Sequence, residues 1–271
     1  MRKKRIVFTG FIGLILFASS PVWSDIITVR KPGNSFYPSY LTLTDNQISI
    51  RLGRDSAQVQ ACFHLLSEPA NIYWPAKKIE WAWPMPTDWV RPVDFRVFSR
   101  ITATKRDPED IIQDYRTHPC MVPESFEIPK ENGYYQSLDN PNESWFNDPL
   151  IEGVFHWYVF GQTIKHSFVS FRLSVEMRVT YTQPYNKGEN GQSEFQYILR
   201  TGSTFAGKIG HLRIEVESEP GVQVLDSNWE LQDGLIDTNE INPEKDLQIT
   251  LMSDKDAETV ATNEESQSTS Q

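Results

Sequence analysis

The sequence predicts a mainly β protein, an antiparallel β-sandwich-like architecture with one short helix. Three observations predict it. Short runs rich in Val, Ile, Thr, Tyr and Phe recur about every eight to twelve residues, with Gly, Pro, Asn or Asp between them. Several of these runs alternate apolar and polar residues with period two, as in Leu212, Ile214 and Val216 against Arg213 and Glu215. Clear helix start and stop signals occur at one place only, Asp107 to His118. Strands at that spacing without intervening helices belong to antiparallel sandwiches rather than to a parallel α/β sheet.

Residues 1–24 read as a secretory signal peptide. Arg2, Lys3, Lys4 and Arg5 form a charged start, Ile6 to Phe17 an apolar stretch, and Val22-Trp23-Ser24 puts small residues at −3 and −1 of a cleavage site before Asp25. The apolar stretch is too short for the ~20 residues of a membrane-spanning helix. The alternative, an uncleaved anchor, is disfavoured on that ground, and the chain is expected to be periplasmic or secreted, with no membrane span after cleavage. The full chain carries 26 Lys and Arg against 36 Asp and Glu, a net charge of −10. Without the four basic residues of the leader the balance falls to −14. Such a surface argues against nucleic acid and anionic lipid as partners, since both are recognised through basic patches, and its plain reading is solubility.

Residues 25–252 form the all-β body, as one large domain or two sandwich-like subdomains. Asp25 to Arg30 is a first short strand, and Lys31 to Tyr40 a loop. Leu41 to Leu52 alternates on either side of Asp45-Asn46, a pair with the chemistry of a hairpin turn. Val59 to Leu66 and Asp94 to Thr102 are further strands. Between them, Tyr73 to Pro92 interleaves tryptophans with prolines, which suit sheet edges and corners. Asp107 can cap a helix, Pro108 fits its first position, and Glu109 and Asp110 favour its positive end. Ile111, Ile112 and Tyr115 give that helix its apolar face, and Pro119 ends it.

Residues 121–149 read as an irregular connection, long enough to hold a site or a short element of its own. Gly153 to Tyr181 is the longest β-rich part. Phe195 to Arg200 and Ile209 to Val216 read as two strands joined by TGSTFAGKIG, whose glycines at 202, 207 and 210 permit positive φ or close backbone approach. Gly221 to Leu225, Trp229 to Gln232 and Leu247 to Met252 complete the strands. Residues 253–271 are polar, acidic and free of aromatics, a composition that does not order itself.

The stretch from Tyr197 to Leu212 carries a resemblance. Tyr197, Thr201, Gly202, Phe205, Gly207, Ile209, Gly210 and Leu212 resemble the late segment of a family of bacterial exported proteins known only as a domain of unknown function, whose members often precede a YARHG module. Phe205 stands where the family usually has Trp, and His211 where an acidic residue is frequent. Ile48 to Leu66, the WAWPMP corner at Trp81 to Pro86 and NPEKDLQI at Asn242 to Ile249 resemble other parts of the same family in order. The resemblance brings no activity with it.

Chemistry-bearing motifs are scarce. The chain has no G-x-x-x-x-G-K-[ST], no G-x-G-x-x-G after a strand, no G-x-S-x-G and no H-E-x-x-H. The Gly-rich loop lacks the following helix that would hold phosphate, and nothing calls for a cofactor. Carboxylates are abundant, but glycosidase chemistry needs two at a defined separation, which sequence does not give. Trp81, Trp83, Trp89 and Phe205 are the candidate binding residues, as a stacking platform for a glycan or an envelope protein; the competing role is core packing.

Cys62 and Cys120 are the only cysteines. An even count in an exported chain predicts a disulfide. The rival is a tetrahedral zinc set completed by His64 and His118, although the spacing matches no standard zinc motif. The function that follows is a non-enzymatic binding or envelope-assembly module, with a hydrolase of envelope polysaccharide as the alternative.

Overall fold

The computed structural model describes residues 27–28, 41–67, 70–72, 77–86, 92–129, 133–137, 155–164, 169–188, 191–199 and 208–254. Residues 1–24, expected from the sequence to be a signal peptide, most of the segment 253–271, Trp89, Gly202, Phe205 and Gly207 lie outside these. The strands in chain order are β1 (Ile27–Thr28), β2 (Leu41–Leu52), β3 (Ser56–Ser67), β4 (Ala70–Ile72), β5 (Lys77–Pro86), β6 (Val93–Thr104), β7 (Gly133–Ser137), β8 (Phe155–Ile164), β9 (Val169–Pro184), β10 (Asn186–Lys187), β11 (Ser193–Tyr197), β12 (Ile209–Ser218), β13 (Val222–Ser227), β14 (Leu235–Ile241) and β15 (Leu247–Ser253). One α-helix, α1 (Pro108–Thr117), and a 3₁₀ turn at Glu124–Phe126 complete the described elements.

The strands make three sheets. Two have four strands, ordered β1-β5-β8-β7 and β10-β11-β15-β13. The third has seven: β14-β12-β2-β3-β9-β4, with β6 also paired to β9. The fold is therefore mainly β with a single described helix, as the strand spacing predicts. Among the described strands all but one of the pairings are antiparallel; β12 lies parallel to β2, matching Leu212 to Asn46 through Ser218 to Leu52. The seven-stranded sheet is thus mixed. The two strands flanking the Gly-rich stretch, β11 and β12, belong to different sheets rather than to one.

Period-two alternation sets the inner face of the large sheet. On β3, Ala57, Val59, Ala61, Phe63 and Leu65 point into one core; on β9, Val175, Met177, Val179 and Tyr181 do. That cluster also takes in Trp81 and Trp83 of β5 and Phe195, Tyr197, Leu247, Ile249 and Leu251 of the β10-β11-β15-β13 sheet, so all three sheets share it. Trp83 meets Phe63, Phe95 and Tyr181 edge to face, with centroids 6.0, 5.9 and 5.8 Å away, a favoured arrangement of aromatic quadrupoles. Trp81 and Trp83 are both 0 % exposed. Neither ring offers a face to a ligand, and the packing role assigned as the competitor is the one they fill.

Three local readings need correction, and the connection at 121–149 gains the short elements its length left room for. Asp45-Asn46 is not a turn: β2 runs through it as one strand of twelve residues, with a bulge between Leu43 and Asp45. Turn chemistry misled because the same short polar side chains serve at bulges. Trp229 to Gln232 is a loop, and the strand is β14, a few residues later. The connection at 121–149 holds β7 and the 3₁₀ turn. Ser253 does not start a loose tail; it is 3 % exposed at the end of β15, where Gln223↔Met252 and Val222↔Ser253 close the pairing. Residues 255–271 lie outside the described chain.

The helix follows its signals closely. Asp107 is the N-cap, its carboxylate accepting from the Glu109 N–H at 2.9 Å, and His118 is the C-cap. A cap of this kind contributes about 1 kcal/mol. Ile111 and Tyr115 are its buried residues.

Candidate functional site

The outer face of the seven-stranded sheet is built differently from the inner one. On β3 the even positions Cys62 and His64 point away from the core, and α1 lies over them. Cys62 is bonded to Cys120, three residues past the end of α1, with Cα atoms 5.4 Å apart and 58 positions between them. Cys120 sits at φ 61, a left-handed conformation that costs a non-glycine residue roughly 1 kcal/mol or more. The bond ties the C-terminal end of the helix to the sheet.

The bulge in β2 supplies the next contacts. Thr44 is the extra residue opposite His64, so Thr44 and Asp45 both serve the outer side while Asn46, opposite Phe63, returns to the core. Gly210 of β12 passes so close that an added Cβ would stand 2.7 Å from the Thr44 carbonyl oxygen; glycine is the residue that lets the two backbones meet there.

His64 is 1 % exposed, and its ring stacks on Tyr115 with centroids 4.7 Å apart. The Thr44 hydroxyl donates to the His64 carbonyl at 3.0 Å, which leaves its oxygen to accept from Nδ1–H at 2.6 Å. Nε2 then accepts from the Ser174 hydroxyl at 2.9 Å. Burial pushes His64 down to about 4, because the charged imidazolium loses its solvation. Burial likewise pushes the Tyr115 hydroxyl up. The zinc alternative is not realised: the sulfurs bind each other, and both His64 nitrogens are engaged by hydroxyls.

Asp45 anchors a second network. Its carboxylate, 0 % exposed, accepts from His211 Nδ1 at 2.9 Å and from Arg116 Nε of α1 at 3.3 Å. His211 Nε2 reaches Asp237 at 3.0 Å, and Arg213 pairs with Asp237 across the β12–β14 ladder at 3.0 Å.

Between α1 and strands β6 and β9 lies a cavity of about 400 Å³. Its floor is a cross-strand ladder: Arg100 faces Glu176 and Thr102 faces Ser174 in register. One guanidinium nitrogen of Arg100 donates to both Glu176 oxygens, at 2.7 and 2.6 Å. At the far end Arg106 pairs with Asp114 of the helix at 2.6 Å. Ile111 and Met121, the latter 60 % exposed, add an apolar wall. A second, open groove of about 430 Å³ lies farther along the same face, between Gln58, Asp94 and Thr180.

The Ser174–His64 contact has the first link of a hydroxyl-nucleophile catalyst but not the rest. The third position is the Thr44 hydroxyl instead of a carboxylate, and a base held near 4 removes protons poorly at neutral pH. Ser174 is 4 % exposed in mid-strand, with β9 paired to β3 on one side and β6 on the other, so its backbone N–H is not free to form an oxyanion hole. What the arrangement can do is hold a small molecule against fixed donors and acceptors.

Sequence reasoning found Cys62, Cys120 and α1. Of the four residues singled out for binding, Trp81 and Trp83 lie in the core, and Trp89 and Phe205 lie outside the described residues. The pocket's Arg100, Thr102, Thr104 and Glu176 were missed. Arg100, Thr102 and Glu176 stand at polar positions of the alternating runs at 94–102 and 172–181, and Thr104 just beyond the first, but nothing there showed that a helix would cover them.

Fold and site together define a mainly β protein with a polar pocket roofed by a disulfide-tethered helix. No protein-family model and no curated protein matches the chain. Among solved structures it is similar to a protein of Legionella pneumophila provisionally named as nutrient-binding, with 13 % identity, a TM-score of 0.49, and coverage of 86 % of this chain and 70 % of that one. It is also similar to an M1 zinc metallopeptidase of Deinococcus radiodurans, with 5 % identity, a TM-score of 0.24, and coverage of 78 % and 38 %. At TM-scores below 0.5 these likenesses say nothing about what the chain does.

Proposed function

We propose that the protein is an exported, non-enzymatic binding module of the bacterial envelope, and that the pocket under α1 is its binding site. One observation carries the reading: a cavity of about 400 Å³, within the ~300–1,000 Å³ usual for small-ligand sites, is floored by side chains already fixed by hydrogen bonds and ion pairs. Fixed groups spare a ligand the entropy of ordering them. The charged leader and the resemblance to an exported family support the compartment, and a disulfide agrees with an oxidising one. The −14 balance of the mature chain supports a partner other than nucleic acid or anionic lipid.

Fractionation with N-terminal sequencing tests export: the mature chain should begin at Asp25 in the envelope fraction, and a cytoplasmic chain beginning at Met1 would refute it. A small-molecule screen read by ¹H–¹⁵N spectra tests the site. Shifts should cluster at Thr102, Thr104 and Met121. Shifts confined to the open groove around Gln58 and Thr180 would place the site there instead.

A further inference from the structure

We infer that the ligand class of this pocket is a neutral saccharide, one or two sugar units in size; the inference rests on the pocket being the binding site. The charges lining the cavity decide it. Arg100 and Arg106 supply two positive charges, and Glu176 and Asp114 two negative ones, each paired at 2.7 Å or less. His64 is buried among hydroxyls and held neutral. The ion-paired charges of the lining therefore cancel, and the one further histidine of the lining is His118 at the C-terminal end of α1.

An anion would have to compete with Glu176 and Asp114 for the guanidiniums, against the field of an acidic protein. A cation would meet Arg100 and Arg106. A zwitterion such as an amino acid could satisfy both signs, but only by prising apart the Arg100–Glu176 pair, in which one nitrogen serves both carboxylate oxygens. A sugar needs none of this. Its hydroxyls donate and accept at once, and they fit beside an intact ion pair: the outer lone pairs of Glu176 accept, while the end of the Arg100 guanidinium, though not its sealed Nε, donates. Thr102 and Thr104, spaced two apart on β6, project from the same face between the two ion pairs; the Thr102 hydroxyl donates to the Ser174 carbonyl at 3.5 Å and keeps its lone pairs to accept from a ligand, while the Thr104 hydroxyl accepts from the Arg106 N–H at 3.1 Å and keeps its own proton to donate. Ile111 and Met121 give the C–H face of a sugar ring an apolar surface to lie on.

The Tyr115 ring is stacked on His64 and Trp81 and Trp83 are buried, so this is a site without an aromatic platform. Affinity should accordingly be modest, around millimolar for a disaccharide. Selectivity should come from the balance of charge rather than from stacking.

The test uses the full mature chain and four probes read by amide shifts: maltose, di-N-acetylchitobiose, glucuronate and L-alanine. Either neutral disaccharide is expected to shift Thr102, Thr104 and Met121, and Thr102→Val, which keeps the shape and removes the hydroxyl, should weaken that binding about fivefold. Glu176→Gln should shift preference toward glucuronate, because it leaves Arg100 uncompensated. Thr102→Val places a strand-favouring residue in a strand and should remain folded even if Glu176→Gln does not. Pocket shifts with L-alanine or glucuronate but with neither disaccharide would overturn the saccharide assignment while leaving the pocket as the site. Pocket shifts with none of the four would count against both readings.

Discussion

The two faces of the seven-stranded sheet solve different problems. The inner face is apolar, contributed by alternate residues of β2, β3, β9 and β12, and it packs with the other two sheets into one core. The outer face in the same strands carries Asp45, His64, Ser174, Glu176, His211 and Arg213, joined through ion pairs and hydroxyls and partly covered by α1. The inner face needs little beyond hydrophobicity of about the right volume. The outer face needs a bulge, a helix, a disulfide and a row of paired charges in register.

The largest effect that separates the faces concerns the staple. Replacing Cys62 and Cys120 together by alanine frees a loop of 58 positions, and the chain-entropy model puts that loss at up to about 4 kcal/mol. Thermal or urea unfolding should show a large drop in stability in a protein that still folds on its inner core. A variant within a fraction of a kcal/mol of the parent would show that α1 is held by its other contacts alone.

The second effect is a pH dependence from His64. Its value falls from 6.5 to about 4 on folding. Below pH 6.5 the unfolded chain takes up a proton that the folded one refuses, so stability is full above 6.5 and declines as pH falls toward 4, by about 3 kcal/mol in all. Urea melts across that window should show the slope. His64→Gln should flatten it, and an unchanged slope would assign the dependence to another group.

The third runs in the opposite direction. Asn46 is 0 % exposed on the inner face, and neither side-chain polar atom has a hydrogen-bond partner. Asn46→Leu removes two unmet polar groups at similar volume and should raise stability by about 1–3 kcal/mol. A loss measured by chemical denaturation would show that Asn46 has a role the inner-face account omits.

The smallest effect belongs to the pocket rim. Arg106 is half exposed, and its pair with Asp114 should contribute no more than about 1 kcal/mol. Arg106→Ala should barely move the melting temperature while weakening ligand binding, which separates the two properties.

The same contrast explains what was legible in the sequence. Period two revealed the inner face because burial repeats along each strand. The cap at Asp107 and the stop at Pro119 revealed α1, since both act through local backbone groups. The bond between Cys62 and Cys120 followed from compartment and count. The bulge at Thr44 left a trace, the shift of alternation from Leu41 and Leu43 to Ile48 and Ile50, but a hairpin turn at Asp45-Asn46 would break the alternation in the same way. The parallel pairing of β12 with β2 joins segments more than 150 positions apart, and no local preference encodes it. Arg100 and Glu176 meet across strands separated by 76 positions. Trp81 and Trp83 misled for a physical reason: aromatic residues between prolines suit a corner and a platform equally well, and only burial distinguishes the two.

A site assembled by a tethered helix should be separable energetically from the core beneath it. Native-state hydrogen exchange, with and without a reductant that opens the disulfide, tests it most directly. Under reduction the amides of Ile111 to Thr117 should lose protection by orders of magnitude, while those of Val59 to Leu65 and Val175 to Tyr181 keep most of theirs. Equal loss in the helix and the core strands, or no change in the helix, would contradict it.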